Sequence, residues 1–166
     1  PWQFGGLQAI PLCRHVYEPL LSLTGSAVEI TPAPLNRGEL RFVEDLKQYC
    51  DSKPALLENR ELYLLRNLSK GRGVGFFEAG NFHPDFIVWL IGDSKEYITF
   101  VDPKGIRNLG FDDPKIKLHE SIKEAEHRLS EPNVILNSFI ISNTPSHEMQ
   151  LLWGVKKANM VNRQIL

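Results

Sequence analysis

Pro84-Asp85-Phe86-Ile87-Val88-Trp89-Leu90 and Tyr97-Ile98-Thr99-Phe100-Val101-Asp102-Pro103-Lys104 are two short apolar runs, rich in β-branched and aromatic residues, with Gly92-Asp93-Ser94-Lys95 between them. Such runs on either side of a turn-forming cluster predict a β-hairpin closed by a four-residue turn. Closed symmetrically on that turn, the hairpin places Asp85 directly opposite Asp102. Side chains alternate between faces with a period of two residues, so Lys104 shares the face of Asp102. Facing carboxylates repel and destabilise a bare hairpin. A divalent cation between them removes that cost, so the pattern points to a metal site with a lysine beside it.

The surrounding sequence extends the hairpin into a sheet. Leu40, Val43, Leu46 and Cys50 recur at helical spacing behind Asn36, a suitable N-cap. Glu61-Leu62-Tyr63-Leu64-Leu65-Arg66-Asn67-Leu68 fits a strand or a short helix, and the strand is preferred because the turn-forming Ser69-Lys70-Gly71-Arg72-Gly73 follows it; Val74 to Phe77 continue the sheet. Pro114 opens a second helix that runs to about Leu129, and Pro132 bars its continuation. Val134 to Ile141 reads as a buried strand. Thr144-Pro145 supplies the N-cap and first residue of a short helix to about Trp153. The order α-β-β-β-α-β, with a short C-terminal helix, predicts an α/β domain around a mixed sheet over residues 36–166. Residues 1–35, rich in Pro and Gly and lacking an initiator Met, read as an N-terminal extension or linker from a longer polypeptide.

At 166 residues, 42% hydrophobic and 23% charged, the chain has the size and composition of one globular domain rather than a disordered segment. No apolar run approaches the ~20 residues of a membrane helix, so no membrane partner is expected. Cys13 and Cys50 form no CxxC pair, which suits a cytoplasmic protein and gives neither a zinc nor a disulfide signature. The net charge of −1, from 19 basic and 20 acidic residues, argues against strong autonomous binding to nucleic acid. Binding through a local basic face or a partner domain stays open.

Pro84-Asp85 followed by Asp102-Pro103-Lys104 matches the PD-(D/E)xK pattern, and the order of elements resembles the core of that nuclease superfamily, a restriction-endonuclease-like fold. The chemistry suits the residues. Two carboxylates hold Mg²⁺, or Mn²⁺ as a substitute, through oxygen ligands. A metal-bound water attacks the phosphodiester, and the lysine orients that water and neutralises developing charge. The simpler reading is that Asp85 caps a strand and Asp102-Pro103 starts a turn. The superfamily adds a glutamate early in its first helix, for which Glu39 and Glu44 qualify. Glu39 falls within the arc of Leu40, Val43, Leu46 and Cys50, whereas Glu44 lies toward solvent, so Glu39 is preferred. Its alternative role is a first-turn carboxylate that favours the helix dipole.

Leu35-Asn36-Arg37-Gly38-Glu39, Phe42-Val43-Glu44-Asp45-Leu46, Gly80-Asn81-Phe82-His83-Pro84-Asp85-Phe86 and Phe100-Val101-Asp102-Pro103-Lys104-Gly105 resemble the C-terminal endonuclease domain of type III restriction enzyme-like DEAD/DEAH-type helicases, over roughly residues 35–153. The resemblance implies a Mg²⁺-dependent endodeoxyribonuclease acting on DNA as the nuclease module of a restriction or defence-type helicase. The helicase/ATPase module would lie in the same polypeptide. Asp85 and Asp102 would be metal ligands, joined by the backbone carbonyl of Pro103. Lys104 would be the catalytic lysine and Glu39 an auxiliary ligand. No GxxxxGK[ST] motif occurs, so this stretch is not expected to hydrolyse ATP.

Lys70 and Arg72 in the glycine-rich loop, and Arg107, Lys115 and Lys117 after the motif, are the candidate DNA contacts, although such charges are most often solvated surface. Glu78 and His83 flank the approach to Asp85. Trp89 and Trp153 read as core. The competing functional class is a catalytically silent nuclease-like module that binds DNA or protein, which the near-neutral charge favours and the complete Asp/Asp/Lys set opposes.

Overall fold

The computed structural model describes residues 3–4, 7–10, 12, 20–24, 33–68, 73–76 and 82–166. Strands β1 (Gln3–Phe4), β2 (Leu7–Ala9) and β3 (Leu21–Leu23) form a small antiparallel sheet. Helix α1 (Arg37–Ser52) and a 3-10 turn at Pro54–Leu57 lead into β4 (Arg60–Arg66), β5 (Phe86–Gly92) and β6 (Lys95–Lys104). Then come α2 (Leu118–Leu129), β7 (Val134–Ser142), α3 (Ser146–Trp153) and α4 (Lys157–Asn162). The second sheet has the order β4-β5-β6-β7, antiparallel except for the parallel β6–β7 pair that α2 connects. The protein is therefore a mixed α/β domain with a four-stranded mixed sheet flanked by helices.

Local chemistry sets the two elements that matter most for the site. Helix α1 starts at a capping box: Asn36 Oδ1 accepts from the backbone N–H of Gly38 at 2.8 Å and of Glu39 at 3.0 Å, while Glu39 Oε2 accepts from Asn36 N at 3.1 Å. The hairpin closes on Asp93 and Ser94, at φ of 54° and 60°, the left-handed pair of a two-residue turn whose twist matches the strands. Arg60 steadies that turn by reaching Asp93 Oδ2 at 2.7 Å.

Strand alternation divides the core between the two faces of the sheet. Leu64, Phe86 and Val101 pack with Val43 of α1, joined by Ile10, Leu12, Leu20 and Leu35 of the N-terminal region. Ile87 and Phe100 pack on the other face with Ile122 of α2. Ile106, Ile116, Ile140, Met149, Met160 and Ile165 close the C-terminal end, where Ile165 bridges to Ile140 beside β7.

Several local expectations are corrected. Helix α2 begins at Leu118 rather than at Pro114, because residues 113–117 close as their own turn. Asp113 O there accepts from Ile116 N at 2.9 Å and Lys117 N at 3.1 Å, and its carboxylate accepts from Lys115 N at 2.9 Å. Pro145, not Thr144, stands at the start of α3, since the buried Thr144 hydroxyl instead accepts from Ile106 N at 3.3 Å. Of the expected strand from Val74 to Phe77, Phe76 forms only an isolated bridge with Phe82, and Phe77 lies outside the described residues. Trp89 is 38% exposed rather than core, because Ile122 of α2 packs on Ile87 and Phe100 and leaves the same-face residues nearer the hairpin turn, Trp89 and Ile91, exposed. Trp153 does pack on the C-terminal cluster, and its indole N–H donates to Leu109 O at 2.8 Å. Helix α4 carries no start signal that the sequence reading recognised. Among the described residues, no helix is long and apolar enough to cross a membrane.

The fully buried Phe86, whose ring lies 5.1 Å from that of Phe42, anchors α1 to the sheet. Phe86→Ala is expected to cost about 3–5 kcal/mol, and Asn36→Ala about 1 kcal/mol, in urea unfolding monitored by circular dichroism. Equal costs for the two would contradict this core.

Candidate metal centre

Register brings the two carboxyl groups together. Phe86 pairs with Val101 and Ile87 with Phe100 through to Gly92 with Lys95, so the next position out sets Asp85 opposite Asp102. Asp85 occupies the bend just before β5, where its carbonyl accepts from Asn67 N at 2.8 Å. The Asn67 side chain fixes the approach to that bend: Nδ2 donates to Pro84 O and to Val74 O, each at 2.8 Å, and Oδ1 accepts from Val74 N at 2.9 Å. Asp102 lies inside β6, flanked on the other side by Ile140 of β7, and is 4% exposed.

The pair is electrostatically frustrated. The Asp85 carboxyl is raised well above the usual carboxylate range, to about 8. Burial is the largest cause, followed by the charge of Asp102 and a hydrogen bond shared with it, and then by the charge of Glu39; the Lys104 ammonium opposes them. Asp102 Oδ2 is buried without a hydrogen-bond donor in normal geometry, although the Lys104 ammonium abuts it as an ion pair. Lys104 Nζ also lies 4.4 Å from the centroid of the Phe82 ring, which packs with Leu118 at the start of α2. A buried carboxylate oxygen held by a single ammonium and facing a carboxyl that resists ionisation is an oxygen donor set suited to a hard cation.

Glu39 is buried and Glu44 exposed. The Glu39 carboxylate is engaged in its own neighbourhood, accepting from Asn36 Nδ2 at 2.7 Å, from Asn36 N at 3.1 Å and from Arg66 at 3.2 Å. Its charge reaches Asp85, yet no three His, Cys, Asp or Glu side chains are grouped to hold a metal among the described residues. The Pro103 carbonyl oxygen lies under the first turn of α1, 3.2 Å from where a Cβ on Gly38 would stand, and the Asn143 amide crowds the same point. A side chain at position 38 would have to push the Asn143 amide aside and crowd the Pro103 oxygen.

The remaining candidates are scattered. Lys115 Nζ lies 6.0 Å from the Phe82 centroid, on the ring that Lys104 also covers. Arg107 pairs with Glu148, and Lys117 with Asp112 at 3.2 Å. The His83 ring packs against the Gly75 backbone. Lys70, Arg72 and Glu78 lie outside the described residues. Sequence reasoning passed over Asn67 and Arg66. Asn67 carries a faint signal, an amide at a strand end where such side chains satisfy loop backbone. Arg66 carries none.

No protein-family model, curated protein or solved structure matches the chain.

In metal-free protein the raised Asp85 pKa has a definite sign. The folded state keeps this proton up to about pH 8 and the unfolded chain only to about 3.8. The associated stability is therefore full below 3.8 and lost as pH rises through about 8. Asp85→Asn cannot ionise, so in EDTA its melting temperature should gain on the parent between about pH 5 and about pH 9. A constant difference across that range would contradict the buried carboxyl pair.

Proposed function

We propose that this domain is a metal-dependent endonuclease that hydrolyses DNA phosphodiester bonds, of the PD-(D/E)xK, restriction-endonuclease-like kind. It would serve as the nuclease module of a larger restriction or defence-type helicase. The observation that carries the proposal is the Asp85–Asp102 pair at the open end of the hairpin, with Lys104 against Asp102. Asp85 and Asp102 would hold Mg²⁺ or Mn²⁺, with the Pro103 carbonyl as a further oxygen donor. The bound ion supplies an activated water and stabilises charge on the phosphate. Asp85 gives up its proton as the site fills. Asp102 lies in a buried position, where a carboxylate interacts strongly with a cation. Lys104 shifts from balancing Asp102 to facing the phosphate, with its ammonium held near the site by the Phe82 ring. Among the described candidates, Lys115, over the same ring, is well placed to meet a neighbouring phosphate.

A second reading, a silent nuclease-like module binding DNA or protein, is favoured by the grouping of no third acidic or histidine ligand among the described residues and by the net charge of −1. Plasmid nicking separates the two. The parent should nick supercoiled DNA with Mn²⁺ or Mg²⁺ and not in EDTA. Lys104→Ala should lose roughly 10²–10³ in rate, as expected for a preorganised charge aimed at the transition state, while still binding metal. Nicking by Lys104→Ala at the parental rate would reject this site as its source. A metal-bound parent without nuclease activity would favour the silent module.

Metal binding has its own readout. Millimolar Mg²⁺ or Mn²⁺ should raise the melting temperature of the parent, because only the folded state presents the pair, and Asp85→Asn should abolish the shift.

A further inference from the structure

Arg66, at the end of β4, joins two parts of the molecule. Its guanidinium donates to Ala33 O at 2.5 Å and Pro34 O at 3.3 Å, on the chain entering α1, and to Glu39 Oε2 at 3.2 Å. The side chains of the pair are only 14% and 11% exposed. Among the described residues Arg66 is the one cation paired with Glu39. Glu39 in turn spends both oxygens on Asn36 and Arg66; its charge helps to raise the Asp85 carboxyl, and it belongs to no metal-holding group among the described residues. A carboxylate this buried is costly once its partner is removed and takes up another positive group within reach.

We propose that Arg66 is a positioning residue of the cation site: it holds Glu39 in the helix-capping position and so keeps the site at two side-chain carboxylates, Asp85 and Asp102. The proposal rests on the reading of those two residues as cation ligands. It makes the site weak by construction, since affinity for hard cations rises with the number of carboxylates at the site. It also ties the site to the segment at residues 33–34, because the same guanidinium fastens that segment and the helix carboxylate. Withdrawal of Arg66 frees Glu39 to turn toward the cation as a third acidic ligand.

The test is Mn²⁺ binding to the whole 166-residue protein, measured by calorimetry for the parent, Arg66→Gln, and the doubles Glu39→Gln/Arg66→Gln and Glu39→Asp/Arg66→Gln. Arg66→Gln should bind Mn²⁺ roughly tenfold more tightly, the lower end of what a neighbour of a metal ligand contributes. Both doubles should lose that gain. Glu39→Asp keeps the charge but shortens the reach, so it separates coordination from the mere loss of a nearby positive charge. Parental affinity in Arg66→Gln, or an undiminished gain in Glu39→Asp/Arg66→Gln, overturns the proposal. If Arg66→Gln fails to fold, Glu39→Gln/Arg66→Gln decides alone, since it removes both halves of the pair. Parental affinity supports the proposal, and a large loss shows that Glu39 is already a ligand and overturns it. A parent that binds no Mn²⁺ rejects the metal centre itself, whereas a parent that binds it and an Arg66→Gln that binds no better reject only the role of Arg66.

Discussion

Asp85 and Asp102 share a space in which two negative charges cannot coexist without help. Hairpin register forces the approach, burial removes the water that would screen it, and the domain meets the conflict by leaving a proton on Asp85 and setting Lys104 against Asp102. A pair of apolar residues would pack at this end of the hairpin at lower cost, as buried polar pairs seldom stabilise a fold. Under the proposed function, a cation takes the place of that proton.

The rest of the fold holds that conflict in place. Phe86 and Val101, one residue inward from the two acids, are locked under α1 by Val43, so the hairpin cannot splay at its open end. Ile87 and Phe100 are held on the opposite face by Ile122 of α2. Asn67 pins the loop ahead of Asp85 through three backbone contacts, which fixes the carboxyl although it lies beyond the last strand pair. Rigid neighbours on both faces leave the charges little room to relax apart, and protonation or ion pairing is the remaining response.

Glu39 shows how one residue type serves two roles. The capping box and the buried pair with Arg66 account for its position without a metal, whereas the alternative to a ligand legible in the sequence is a first-turn carboxylate favouring the helix dipole. Its charge nevertheless reaches Asp85, so the helix cap and the acid pair are electrostatically one cluster. Two negative groups at Glu39 and Asp102 face two positive ones at Arg66 and Lys104, which lets the cluster stay near neutrality while Asp85 keeps its proton.

Local sequence determined the features whose causes are local. The start of α1 follows from Asn36 and Glu39 three residues apart, and the register of β5 and β6 from a two-residue turn and strict alternation, which together place Asp85 against Asp102. The α/β class follows from the order of these elements. Tertiary structure decided what depends on partners far along the chain. Trp89 has the composition of a core residue but stands exposed, because α2 covers Ile87 and Phe100 and not the part of that face nearer the hairpin turn. The start of α2 moved to Leu118 because Ile116, within the turn at 113–117, packs on the C-terminal cluster, while Leu118 just after it packs with Phe82. Arg66 meets Glu39 across 27 positions of sequence, and no periodicity or spacing encodes a contact that exists only once a strand and a helix have packed.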